Sequence, residues 1–104
     1  MIATRKKGTT YERTVAHRLA EVWPDAKRGL QFPGHGDGVP DVDGTPFFVE
    51  CKHRARVYVA RAMEQAVAAS AGRPPVVIWR QNHGDDLVTM RLTDWLALHN
   101  GGTP

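Results

Sequence analysis

The stretch Val39-Pro40-Asp41-Val42-Asp43-Gly44-Thr45-Pro46-Phe47-Phe48-Val49-Glu50-Cys51-Lys52 decides how this chain is read. It has the pattern of a β-hairpin. A short first arm ends at Asp43, and Asp43-Gly44-Thr45-Pro46 supplies turn chemistry. Phe47 to Cys51 is a compact apolar run interrupted by Glu50. Side chains alternate along a strand, so Phe48, Glu50 and Lys52 share a face. A two-residue turn at Gly44-Thr45 pairs Asp41 with Phe48 and brings Asp41 to that face too. A four-residue turn keeps the same parity, whereas a three-residue turn flips Glu50 away. Two carboxylates and an ammonium beside an apolar strand are costly unless paired or bound to metal. A hard divalent cation provides such pairing, because Mg²⁺ prefers carboxylate oxygens and water.

The rest of the chain sets bounds on that reading. With 104 residues it makes one domain, residues 1–104, with one modest core. Its 41% hydrophobic content is that of a folding chain. The net charge of +3 is compatible with a nucleic-acid partner, and the placement of the cations says more than their sum. Arg5, Lys6 and Lys7 cluster near the start, and Lys52, Arg54 and Arg56 lead out of the acidic pair along one strand face. A single cysteine, Cys51, excludes an internal disulfide and a Cys-rich zinc site. It points away from Glu50 and Lys52 and reads as a small core residue. The five histidines are scattered without metal-ligand spacing. No apolar run approaches a membrane span, and no apolar segment follows the basic start as in a secretory signal, so an intracellular, cytoplasmic protein is expected. No phosphate-binding G-x-x-x-x-G-K-[ST] loop occurs, which argues against a nucleotide cofactor.

Residues 1–8 read as a mobile basic arm. Thr9 reads as the N-cap of a helix in which Tyr11, Val15, Leu19 and Val22 recur at helical spacing, ending before Pro24. A strand over residues 26–32 and a glycine-rich loop, Pro33 to Gly38, lead into the hairpin. A second helix carries Val59, Ala62, Met63, Ala66 and Val67. Val76 to Trp79 and Leu87 to Leu92 are two further strands, Thr93 caps a last helix over 94–99, and residues 100–104 form a frayed tail. The order is α-β-β-β-α-β-β-α.

Glu12, Pro40-Asp41 and Glu50-Cys51-Lys52, in that order, resemble the PD-(D/E)XK nuclease superfamily, most closely the archaeal-type Holliday junction resolvases. The basic, glycine-containing segment before the helix (Lys7-Gly8-Thr9-Thr10-Tyr11-Glu12) and the glycine-rich lead into Pro-Asp are shared features. The likeness runs from about residue 5 to 98. It departs in the loop, where resolvases of this type often carry serine and this chain has His35 and Asp37. The fold implied is α/β: a single-domain, restriction-endonuclease-like PD-(D/E)XK fold with a mixed central sheet flanked by helices.

The resemblance implies a metal-dependent endonuclease that leaves 5′-phosphate and 3′-hydroxyl ends. Glu12, Asp41, Glu50 and Lys52 would be the catalytic set. Asp41, Glu50 and the Cys51 carbonyl would hold Mg²⁺, for which Mn²⁺ substitutes, and Glu12 would serve a second ion or an outer-sphere water. Lys52 would orient or deprotonate the attacking water and stabilise developing charge. Arg5, Lys6, Lys7, Arg28, His35, Arg54 and Arg56 are the candidate DNA contacts, and Gln65 stands where many of these nucleases carry a helical glutamine. The expected substrate is a four-way DNA junction. Because two symmetric cuts need two sites, a homodimer is expected, with Trp95, Leu96 and Leu98 as candidates for its surface. Two other readings stand beside this one: a PD-(D/E)XK nuclease of another DNA substrate (restriction-type, nicking or repair), and a non-catalytic DNA-binding module. Glu12 also has a plainer reading. Thr9-x-x-Glu12 is the pattern of a capping box, in which Glu12 only completes the helix start.

Overall fold

In the computed structural model, the structure describes residues 2–30 and 38–101, with side chains from residue 8 onward. Three helices and five strands follow the expected order: α1 (Ile2–Leu19), β1 (Lys27–Arg28), β2 (Val42–Asp43), β3 (Phe48–Arg54), α2 (Val59–Ala69), β4 (Pro75–Gln81), β5 (Leu87–Met90) and α3 (Leu92–His99). The strands form one sheet in the order β1-β2-β3-β4-β5. Only β3 and β4 are parallel; the other neighbours are antiparallel. A parallel pair needs a crossover, and α2 supplies it.

The alternation of β4 separates two cores. Val76 and Ile78 pack with Tyr11, Val15 and Ala16 of α1 and with Val42, Phe47 and Val49, whereas Val77 packs with Ala62 and Ala66 of α2. The sheet is therefore covered by α1 on one face and by α2 on the other. Both faces are buried along β3 and β4, and both strands accordingly carry near-continuous apolar runs. Phe48, fully buried, contributes about 1.5–3 kcal/mol by leaving water. Cys51 packs against the α1-side cluster, as a small core residue should. Burial in the first place, with the nearby carboxylates, pushes its thiol well above its ordinary pKa, so it stays neutral.

Several boundaries differ from the sequence reading. Residues 2–8 are not an arm: α1 starts at Ile2 and runs through Gly8 and Thr9. Arg5, Lys6 and Lys7 are good helix formers, and one glycine weakens a helix without stopping it. Thr9 is consequently inside the helix and is not its N-cap. Of the strand expected over 26–32, Lys27–Arg28 is strand, paired with the equally short β2; residues 31 and 32, and most of the glycine-rich loop expected over 33–38, lie outside the described residues. β5 ends at Met90, and α3 starts at Leu92 with Arg91, not Thr93, as N-cap. Arg91 Nε donates to Asp94 Oδ2 at 3.0 Å, which ties the cap residue to an acid in the first turn, where the helix dipole favours negative charge.

The hairpin turn is also longer than two residues. Val42 pairs with Val49, which makes Gly44–Phe47 a four-residue loop and sets Asp41 opposite Glu50. The parity is that of the shorter turn, so the acids keep their shared face. Gly44 has φ +85° and lies against the Asp25 carbonyl, leaving no room for a Cβ. Asp43 Oδ1 accepts the Gly44 N–H at 2.9 Å. Arg73 then locks the loop through Nη2, which donates to Phe47 O (2.8 Å), Asp43 Oδ1 (3.3 Å) and Thr45 O (3.4 Å).

Candidate active site

The candidate site lies where β2 begins, beside the middle of β3. Asp41 is the last residue held by the sheet on that side. Its N–H donates to Val49 O at 2.8 Å, and its carbonyl accepts from Gly29 N–H at 2.9 Å. Gly29 is pressed against the Pro40 carbonyl, an approach no other residue permits. Just before the strand begins, the Asp41 side chain reaches onto β3, and its Oδ2 accepts the Cys51 N–H at 2.8 Å. This short bond fixes the carboxylate next to the backbone of the Glu50-Cys51-Lys52 triplet.

Glu12, Asp41, Glu50, Cys51 and Lys52 line one cleft of about 330 Å³, together with Gly8, Thr9, His53 and Arg54. Three separate elements thus contribute acids to it: α1, the chain entering β2, and β3. Glu12 is held from the other side by Arg28, whose Nε lies 3.5 Å from Glu12 Oε1. Burial, and next the charge of Asp41, raise the Glu12 carboxyl above its ordinary pKa, and Arg28 offsets only part of this. The helix is also anchored through the neighbour of Glu12. Tyr11 Oη donates to Asp86 Oδ1 at 2.9 Å, and Arg18 Nη1 pairs with Asp86 Oδ2 at 3.1 Å. These contacts join α1 to the segment before β5, and nothing in the residue spacing signals them.

The candidate DNA contacts are distributed more widely. Arg54 is exposed at the rim of the cleft, and Arg56 is exposed two residues on. Arg28, expected from sequence to be a DNA contact, is paired with Glu12. The side chains of Arg5, Lys6 and Lys7, and the whole of His35, lie outside the described residues. Gln65 is exposed on α2 and lines a second recess that also contains Lys52.

The cleft offers hard oxygen donors. Among the described residues, no group of three or more His, Cys, Asp or Glu side chains is arranged to hold a metal ion. Mg²⁺ does not require one, since it binds through one or two carboxylates and retains several waters. Asp41 and Glu50 supply two carboxylates, and the charge of Asp41, second to burial among the causes that raise Glu12, is one that a cation would offset. The residues fit a hydrated divalent ion.

Glu12 provides a test of what this helix position does. With Thr9 inside α1, the capping-box role is gone. A carboxylate whose folded-state pKa lies above its unfolded value disfavours folding once pH exceeds both. Glu12→Gln, in the presence of chelator, should therefore leave the melting temperature at pH 7–8 unchanged or raise it. Lowering the pH toward the Glu12 pKa should narrow the difference between variant and wild type. The same variant should lose about 10–100-fold in cleavage rate, the usual scale for a residue supporting metal ligands. Melting curves with and without chelator, beside single-turnover cleavage, separate the two effects.

Residues 3–101, nearly the whole chain, match the model of a protein family described as "Phage putative PDDEXK endonuclease". No curated protein and no solved structure matches the chain. Nucleases of this superfamily generally use divalent metal ions. Among the described residues, no helix is long and apolar enough to cross a membrane.

Proposed function

We propose a specific substrate for this chain, which belongs to the phage PDDEXK endonuclease family: it cleaves four-way DNA junctions as a Mg²⁺-dependent homodimer inside the cell. The observation that carries the catalytic part is the meeting of Glu12, Asp41, Glu50 and Lys52 in one cleft. Asp41, Glu50 and the Cys51 carbonyl would hold the ion, with Glu12 serving a second ion or a water. A divalent ion bound there supplies a water of lowered pKa and withdraws charge from the phosphate. The protein's own part is positioning. The Cys51 N–H holds Asp41 in place, and Arg28 restrains Glu12. Lys52 orients the attacking water and offsets the charge that develops on the phosphoryl oxygens.

The substrate part is supported by the surface. Arg54 and Arg56, exposed beside the cleft, suit phosphates, which fix position and carry no sequence information, and the sequence adds the cations Arg5, Lys6 and Lys7, whose side chains lie outside the described residues. The dimer is supported by α3, none of whose residues is buried, although it carries Leu92 (68% exposed), Trp95 (49%), Leu96 and Leu98. Leu87 and Val88 are further exposed apolar residues, on the edge strand β5. Two copies joined by a two-fold axis place two clefts on one DNA.

The test is a labelled four-way junction against a matched linear duplex, with Mg²⁺ and with chelator, at graded salt. Paired cuts in the junction are expected, with affinity falling steeply with salt and to the same degree for junctions of different sequence. Sedimentation should give a dimer. Equal cleavage of junction and duplex, or paired cutting by a strict monomer, would replace the resolvase reading with that of a nuclease acting on other DNA.

A further inference from the structure

A second recess, of about 300 Å³, adjoins the cleft on the α2 side and is lined by Lys52, Arg54, Val57, Tyr58, Arg61, Ala62 and Gln65. Lys52 and Arg54 are common to both, so the two hollows adjoin along β3. Three of the lining residues are cations and none is an acid. Tyr58 stands out among them. It occupies the N-cap of α2, a position that favours Ser, Thr, Asp or Asn, and makes no capping hydrogen bond. Its side chain is not in the core either, because the residue is 64% exposed. Neither helix stability nor packing accounts for an aromatic ring there. The guanidinium carbons of Arg56 and Arg61 both lie 5.9 Å from its ring centroid, at the outer limit of about 6 Å for a cation–π contact. The ring is loosely attended and open to another flat partner.

An exposed aromatic ring among cations, next to a phosphodiester-cleaving site, is the arrangement with which proteins hold unpaired nucleotides. The base stacks on the ring, and the backbone follows the positive charge. A paired base cannot use such a ring, since its faces are already covered by its neighbours in the duplex. We propose that this recess is a subsite for an unpaired DNA nucleotide adjoining the scissile phosphate, whose base stacks on Tyr58 and whose phosphates lie along Arg54 and Arg61. Gln65, exposed at the wall, offers both a donor and an acceptor to the base edge. The subsite rests on the endonuclease reading and adds a preference to it. DNA with an unstacked base beside the cut site binds better than continuous duplex.

The experiment uses the full chain in chelator, so that binding is read without cleavage. The probe is a DNA duplex with one unpaired 2-aminopurine, against the same duplex with that base paired. Wild type and Tyr58→Phe should quench the unpaired fluorophore saturably, whereas Tyr58→Ala should abolish the quench. Tyr58→Ala should also weaken binding of the unpaired probe by about tenfold and of the paired probe by less than about twofold. Arg61→Ala should weaken binding of the unpaired probe and reduce its salt slope by about one. It also serves as the second variant, should Tyr58→Ala melt below the assay temperature. Equal quenching by wild type and Tyr58→Ala, or equal losses on both probes, would overturn the subsite. Cleavage by the wild type, measured separately with Mg²⁺, keeps the two readings apart. A protein that cuts but fails the quench test lacks only the subsite, and one that cuts no DNA loses the nuclease reading itself.

Discussion

Asp41→Asn and Glu50→Gln should each abolish detectable cleavage while leaving DNA affinity within about twofold. Each variant removes a charge and keeps the shape. The amide that replaces the Asp41 carboxylate retains an oxygen that can accept the Cys51 N–H, so the local geometry bonded at 2.8 Å survives the change. What is lost is the anionic oxygen a divalent ion needs. Metal assistance in phosphoryl chemistry is worth several kcal/mol, which is on the order of 10³-fold or more in rate. Affinity for DNA is expected to rest on cations that both variants leave in place, and removing a negative charge beside phosphate cannot weaken it through electrostatics. Cleavage in Mg²⁺ and gel shifts in chelator measure the two quantities separately. A variant cutting at near wild-type rate would remove that residue from the site.

Lys52→Ala should slow the chemical step by about 10²–10³-fold, the scale for losing one preorganised group that faces developing charge. Lys52 lines both the acidic cleft and the basic recess beside it, so affinity also falls, by a smaller factor. Single-turnover cleavage at saturating protein isolates chemistry from binding. An effect confined to affinity would make Lys52 a phosphate contact. Lys52→Arg, which keeps the charge and changes its shape, should restore affinity more than rate if the ammonium acts on the water.

The hairpin is the most legible part of this chain, for a physical reason. Its face assignment depends on parity alone, and parity is the same for two- and four-residue turns. Asp41, Glu50 and Phe48 can therefore be assigned one face even when the turn length is taken as two. The two helices that pack on the sheet announce themselves through Tyr11 and Val15, and through Ala62 and Ala66. The start of α1 is obscured because Gly8-Thr9 followed by Glu12 imitates a capping signal, whereas the helix propensity of residues 2–7 carries the helix through it. The ties that set the site in place are not legible at all. Arg73 closes the hairpin loop from 26 to 30 residues away, and Asp86 holds Tyr11 from 75 residues away. Local periodicity carries no trace of such pairs. Arg28 draws notice by its charge, but its partner Glu12 is a property of the fold.

The bond from Tyr11 to Asp86 also has a temporal meaning. A ribosome makes the helix that bears Glu12 before the strand that bears Glu50 and Lys52, and Asp86 after both. The parallel neighbour of β3, spanning seven register pairs from Phe48–Pro75 to Arg54–Gln81, also emerges only after the α2 crossover. Contacts between residues so far apart in sequence form late, because a long loop must close before they repay its entropy. A nascent chain stopped before β4 thus carries all four cleft residues without the frame that gathers them. Assembly of the cleft is thereby deferred until β4 and the segment bearing Asp86 have been made.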